Sequence, residues 1–245
     1  YREFESPPLR HFSFGDSSKI SFSRSKGAFA MQSLNALLRL AQKLAQIGPL
    51  RVFAAVIETA RNKALHLIYG FDPWHVTGNF YARPYKAKVI DLIAIVPHQS
   101  VVEIGVGLGD ILGRVQAPER LGIDLDAAVL KAARWCVGSD VTLAIADFSK
   151  PETLIAAIKD AGLVKIDMLI LVNWIHMIDW DTITATLRAV RAAVPVEHLL
   201  MDAIHPGTAG YRFTHRAEDI ATLGSIKTII KGDDVRDFVL VDLHA

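Results

Sequence analysis

Residues 101–110 read V-V-E-I-G-V-G-L-G-D, and this stretch decides the fold. Val101, Val102 and Ile104 form an apolar run around Glu103, the pattern of a strand buried on both faces. Gly105, Gly107 and Gly109 follow at alternate positions. Glycine admits backbone conformations closed to other residues and leaves no side chain between main chain and ligand. A helix predicted from Asp110 would aim its free N–H groups and positive dipole end at the same spot. Strand, bare turn and helix together predict a nucleotide-type pocket at the carboxyl edge of an open α/β sheet.

The spacing narrows the nucleotide. A dinucleotide fingerprint G-x-G-x-x-G started at Gly105 requires glycine where Asp110 stands; started at Gly107, it requires glycine where Leu112 stands. Both registers fail, and an acid at the helix start opposes a pyrophosphate. The arrangement E-x-G-x-G-x-G, formed by Glu103, Gly105, Gly107 and Gly109, instead resembles motif I of the class I S-adenosylmethionine (SAM)-dependent methyltransferases. SAM carries no phosphate, so Asp110 is no handicap. The resemblance extends over residues 80–245.

Outward from this stretch, strands and helices alternate regularly. Further strands are predicted at 120–124, 141–146, 166–172 and 197–204, and helices at 86–96, 110–116, 127–137, 152–161 and 182–194. Segments 225–231 and 236–243 read as a closing hairpin around Gly232-Asp233-Asp234. The expected fold class is α/β. With the resemblance, it becomes a Rossmann-like seven-stranded, mostly parallel sheet with a terminal antiparallel strand, preceded by an N-terminal helical extension. The expected division is an arm and helical extension or lid at 1–79 and a SAM-dependent methyltransferase domain at 80–245.

The resemblance assigns roles to residues at the strand ends. Glu103 would help fix the glycine loop and the cofactor's amino group. Asp124, ending L-G-I-D nineteen residues after Gly105, would take the ribose hydroxyls, and Asp126 would cap the next helix. In A-I-A-D-F, Asp147 would receive the adenine amino group and Phe148 would meet the base. Past the fourth strand, Asn173 would offer an oxygen to the cofactor's amino group, and Trp174 would contact substrate. His176 is the first candidate general base, expected to titrate near neutrality. After the fifth strand come His205, the second candidate base, and Tyr211, a substrate contact. The D/N/S-P-P-Y/F motif of nucleobase amino-methyltransferases is absent after the fourth strand, which counts against that chemistry.

Upstream, F-D-P-W-H-V-T-G-N-F-Y-A-R-P-Y (71–85) has the composition of a binding lid. Trp74, His75, Tyr81 and Tyr85 are its substrate-contact candidates, and the resemblance implies that Arg83 or Tyr81 would contact the methionine carboxylate. Water exclusion by such a lid would protect the methyl donor from hydrolysis.

Composition supports a globular α/β protein: 51% hydrophobic and 22% charged residues, with a net charge of +1. A single cysteine excludes a disulfide framework and points to a reducing compartment, the cytoplasm. No apolar run approaches the roughly 20 residues of a membrane span. Residues 1–70 hold ten Lys/Arg against four Asp/Glu, while 71–245 hold seventeen against twenty-two. The acidic balance of the second part argues against a strong nucleic-acid grip there. Residues 1–27 read as an extended arm, and 28–47 and 50–69 as amphipathic helices parted by Gly48-Pro49. This helical pair suits a hairpin over the pocket, a homodimer contact, or peripheral membrane attachment through 28–69. The expected function is SAM-dependent methyl transfer to a small-molecule or glycan acceptor, at oxygen and without a metal. An RNA or protein methyltransferase docking through the basic arm, and a non-catalytic partner keeping the fold, are the rival readings.

Overall fold

The computed structural model describes residues 48–243; the arm expected at 1–27 and the helix expected at 28–47 lie outside the described residues. One compact unit begins at Leu50. Its strands are β1 (Ser100–Ile104), β2 (Glu119–Asp124), β3 (Thr142–Ile145), β4 (Ile166–Leu171), β5 (Val196–Ile204), β6 (Ser225–Lys231) and β7 (Arg236–Asp242). They form one sheet in the order β3-β2-β1-β4-β5-β7-β6, in which β7 alone is reversed, between β5 and β6. This is the expected seven-stranded Rossmann-like sheet. The chain passes outward from β1 through β2 to β3 and then resumes on the other side at β4. The crevice where that order reverses, above β1 and β4, is where such sheets bind ligands.

The helices are α1 (Pro49–Tyr69), α2 (Trp74–Thr77), α3 (Tyr85–Ile93), α4 (Ala127–Val137), α5 (Pro151–Asp160), α6 (Trp180–Ala193) and the single turn α7 (Ala217–Ile220). Every residue of β1 and β4 is buried, because helices cover both faces of the sheet. Side chains alternate across a strand, so Val102, Ile104 and Leu169 pack with α5 and α6, while Val101, Met168 and Ile170 pack with α3 and α4. Glu103 shares the second face. Helix starts follow local chemistry: the Asp126 carboxylate accepts the Ala128 N–H at 2.7 Å, and Asp179 does the same for Thr182 at 2.8 Å.

One expected element is different. Residues 110–116 do not form a helix; a 3-10 turn, Leu112–Arg114, stands in its place. Two competing contacts and a glycine explain this. The Asp110 carboxylate is drawn to Lys86 at 2.6 Å, and the Leu112 N–H is taken by Glu103 at 3.0 Å. Gly113, inside the segment, also weakens helix propensity. The dipole end expected at the glycine turn is therefore missing, and backbone amides alone face the crevice.

Candidate active site

The carboxyl ends of β1 and β2 are joined by the glycine turn. Gly105 and Gly107 have φ of 73° and 55°, a region side-chain-bearing residues avoid. The Gly105 and Val106 N–H groups donate to Ile123 O at 2.8 and 3.0 Å, anchoring the turn to β2. Asp124, ending β2, accepts the Gly107 N–H on one carboxylate oxygen at 2.9 Å and the Asp126 N–H on the other at 3.0 Å. Burial raises its pKa. Leu125, beside it, is 61% exposed. Beneath the turn, burial pushes the Glu103 carboxyl from 4.5 up to about 8, against the pull of the Leu112 N–H.

Two aromatic side chains press on this turn. A Cβ at Gly105 would lie 2.2 Å from the Trp174 indole, whose Nε1 donates to Ile104 O at 2.5 Å. Trp174 also meets Phe148 edge to face at 5.1 Å. His75 lies 3.1 Å from where a Gly107 Cβ would stand, and the half-exposed Trp74 packs against the His75 ring. Burial lowers the His75 pKa to about 4. Asp147 follows β3 by two residues, but its carboxylate accepts the Ser149 N–H and hydroxyl and sits 3.5 Å from Lys150. The Ser149 hydroxyl is the first cause of its lowered pKa.

A second, polar cluster fills the crevice at the ends of β4, β5 and β7. Asn173 has a φ of 79°, the one positive value among described non-glycine residues. Its Oδ1 accepts from Tyr85 Oη at 2.7 Å and from Arg236 Nη1 at 2.9 Å. Arg83 donates to Tyr85 Oη at 3.0 Å, and Arg236 Nη2 to Tyr211 Oη at 2.8 Å. Arg236 Nη1 also lies 3.2 Å from the fully buried Asp202 carboxylate. Burial pushes the Asp202 carboxyl up to about 6, against the opposing Arg236 charge. His176 packs edge to face on Tyr211 at 4.6 Å, and its Nδ1 has no hydrogen-bond partner among the described residues. Its pKa is lowered to about 4, by burial first and then by Arg236, well below the near-neutral value expected from sequence.

The structure thus gathers Arg83, Tyr85, Asn173, His176 and Tyr211 in one cluster, and Glu103, the glycines, Asp124, Phe148, Trp174 and His75 around the turn. Three candidates stand apart, the first being Asp147, whose carboxylate is engaged by Ser149 and Lys150. Tyr81 packs on Phe80 and near Arg114, outside both groups. His205 bonds Asp237 at 3.1 Å and Asp234 O at 3.2 Å. By strand alternation it lies on the sheet face opposite Asp202 and Arg236. Sequence reasoning missed Arg236, the hub of the polar cluster. Its signal was a cation in phase with Phe238 and Leu240 on the buried face of a strand. Also missed was the buried Lys86–Asp110 pair, whose Nζ reaches Gly78 O as well, at 2.6 Å.

Fold order, reversed β7 and glycine turn together define the fold of the class I SAM-dependent methyltransferases. Solved structures that share it include the following three. The chain is similar to the N-methyltransferase NodS of Bradyrhizobium japonicum, bound to S-adenosyl-L-homocysteine, at 15% identity over 76% of this chain and 99% of that one, with a TM-score of 0.55. It is similar to a SAM-dependent methyltransferase of Anabaena variabilis at 13% identity over 66% and 85%, with a TM-score of 0.51. To the SAM-bound magnesium protoporphyrin IX methyltransferase of Synechocystis it has 13% identity over 65% and 78%, with a TM-score of 0.50. At such identities the likeness speaks for the fold. No family model and no curated protein sequence matches the chain.

Proposed function

We propose that the chain is a SAM-dependent methyltransferase that methylates an oxygen of a small or medium polar acceptor, such as a sugar, glycan precursor or secondary metabolite. The observation that carries this reading is the meeting of the bare Gly105–Gly107 turn with the strand-end carboxylate of Asp124. The residues suit an adenosine. Each Asp124 oxygen holds one backbone N–H and keeps a lone pair for a ribose hydroxyl. Leu125 and Trp174 offer apolar surface to a base, while Phe148, expected to meet it, is buried in the core against Trp174. Arg83 has no carboxylate partner among the described residues, which suits it to a ligand carboxylate. Both lone pairs of Asn173 Oδ1 are filled, so its backbone carbonyl is the oxygen it has to offer.

When bound, the sulfonium supplies the methyl group for an in-line displacement. The chain's own part is to orient the acceptor, exclude water and take up a proton. Trp74 and His75, packed against the glycine turn, would enclose the acceptor, with Tyr85 and Tyr211 lining the polar cluster beyond. His176 is an unprotonated imidazole at neutral pH. A base this weak takes the proton late, as the acceptor oxygen becomes positive during transfer.

Calorimetric titration with SAM, and separately with NADH, tests the reading in wild type and Asp124→Asn. The asparagine keeps an acceptor for the Gly107 N–H while losing the second ribose acceptor. Binding of SAM alone, weakened about tenfold by the substitution, corresponds to one lost charge-assisted hydrogen bond pair and supports the reading. A second reading, a non-catalytic protein keeping the fold, draws on the Trp174 ring packed over Gly105. It prevails if neither ligand gives heat.

A further inference from the structure

Helix α1 is built inside out. Its buried residues are Glu58, Asn62 and Leu65, two of them polar. Leu50, Phe53, Val56, Ile57, Leu67 and Ile68 point outward, each more than half exposed, from 52% at Ile57 to 84% at Leu50. With about 100° between successive residues, these six fall within one arc of roughly 120°, filled in by Ala60 and Ala64. The arc has cations on both borders: Lys63 follows Val56 on one side, and Arg61 follows Leu50 and Ile68 on the other. The helix carries one acid, Glu58, and that is buried against Arg114 at 2.6 Å. The exposed surface of α1 is therefore apolar along its centre and only basic along its edges.

The inner face explains why the apolar residues were left outside. Asn79 Nδ2 donates to Thr59 Oγ1 at 2.8 Å and to Ala55 O at 3.3 Å, and Asn62 Nδ2 donates to His75 O at 3.4 Å. Together with Glu58–Arg114, these contacts fasten the helix to the segment bearing His75 and to the turn after the glycine loop. At the helix's C-terminal end the exposed Trp135 ring bonds Tyr69 Oη through Nε1 at 2.6 Å, an aromatic pair of the kind that sits at a water–lipid boundary. Among the described residues no helix is long and apolar enough to cross a membrane. A helix with a wide apolar arc and flanking Lys/Arg lies in the interfacial plane, with its cations reaching up to anionic headgroups.

We propose that the outward face of α1 seats the protein on an anionic lipid surface. The charge pattern favours this occupant over a second copy of the chain, since two copies meeting through α1 would set Lys63 and Arg61 against their like. Residues 71–245 carry a net negative charge, so the attraction is local to this end of the chain. Docking would bring the His75 segment, bolted to the other side of α1, close to the surface.

Co-sedimentation of the full chain with vesicles tests this, using phosphatidylcholine alone and phosphatidylcholine with about a quarter phosphatidylglycerol. Wild type is expected to bind the anionic vesicles, more weakly as salt rises. Phe53→Asp/Ile57→Asp should lower the partition by about tenfold or more, and Lys63→Gln by several-fold, given about 1 kcal/mol per basic residue. Both apolar positions are exposed, so unchanged far-ultraviolet dichroism and melting temperature are expected. As a variant that keeps the apolar face, Phe53→Trp should show blue-shifted fluorescence quenched by brominated lipid. Failure of wild type to bind overturns the proposal. Equal binding by Phe53→Asp/Ile57→Asp also overturns it, since the lipid contact would then belong to the basic leader. A dimer dissolved by that variant, without vesicle binding, would assign the face to a second copy. None of these readouts depends on methyl transfer.

Discussion

Glu103 shows how one side chain can serve the site at a cost to the fold. It is buried on the central strand, where its carboxylate holds the Leu112 N–H in place of a helix hydrogen bond. Burial raises its pKa from 4.5 to about 8. The folded chain therefore keeps this proton over a range in which the unfolded chain releases it. Between about pH 4.5 and 8 the unfolded state binds fewer protons, so this residue's contribution to stability falls as pH rises. Gln keeps an oxygen for Leu112 and does not titrate. The stability of Glu103→Gln relative to wild type should thus shift in the variant's favour by a few kcal/mol between about pH 5 and 8. Urea unfolding at both pH values measures it, and a pH-independent difference would mean that Glu103 is ionised in the fold. His75 and His176, both lowered to about 4, push the absolute stability the other way on acidification. They are present in both proteins and cancel in the comparison.

Between elements, the Lys86–Asp110 pair is the strongest tie in the site. Lys86 on α3 holds Asp110 after the glycine loop and Gly78 O in the segment between α2 and α3, both at 2.6 Å, with both side chains about nine-tenths buried. Breaking a buried pair strands a charge, so Lys86→Met should destabilise by about 3–5 kcal/mol. Adding Asp110→Leu should recover most of that, and denaturant titration of the two variants checks both steps. A loss under about 1 kcal/mol for Lys86→Met would mean that water reaches Asp110. This tie also marks the limit of what the sequence makes legible. Strands buried on both faces announce themselves as apolar runs, and Asp124 and Asp147 fall where those runs stop. Asp126 caps its helix as its residue type and position require. Other features depend on partners distant in sequence. The expected helix at 110–116 gave way because Lys86 and Glu103 compete for its first turn. Arg236 became a hub only through the pairing of β7 with β5, and the same register sends His205 to the other face.

At the scale of the molecule, a ligand held across the switch point contacts β1, β2, β3 and β4 at once. Binding there should stabilise the whole unit rather than one loop. The hydrophobic packing is continuous on each face of the sheet, so opening the site and melting the sheet draw on the same core. A ligand that binds only the folded state adds RT ln(1 + [L]/Kd), about 2.7 kcal/mol at a hundredfold excess over Kd. For a unit of this size that amounts to about 5–10 °C in Tm. SAM should therefore raise Tm by that amount in a thermal scan, with NADH leaving it unchanged. Gly105→Ala should abolish the SAM-dependent rise, because its Cβ would collide with the Trp174 indole at a φ that alanine resists. A SAM response that survives in Gly105→Ala would place the ligand away from the glycine turn and detach the cofactor from the residues named above. An unliganded wild type that melts in two separate steps would instead show that α1 and the segment bearing His75 open independently of the sheet.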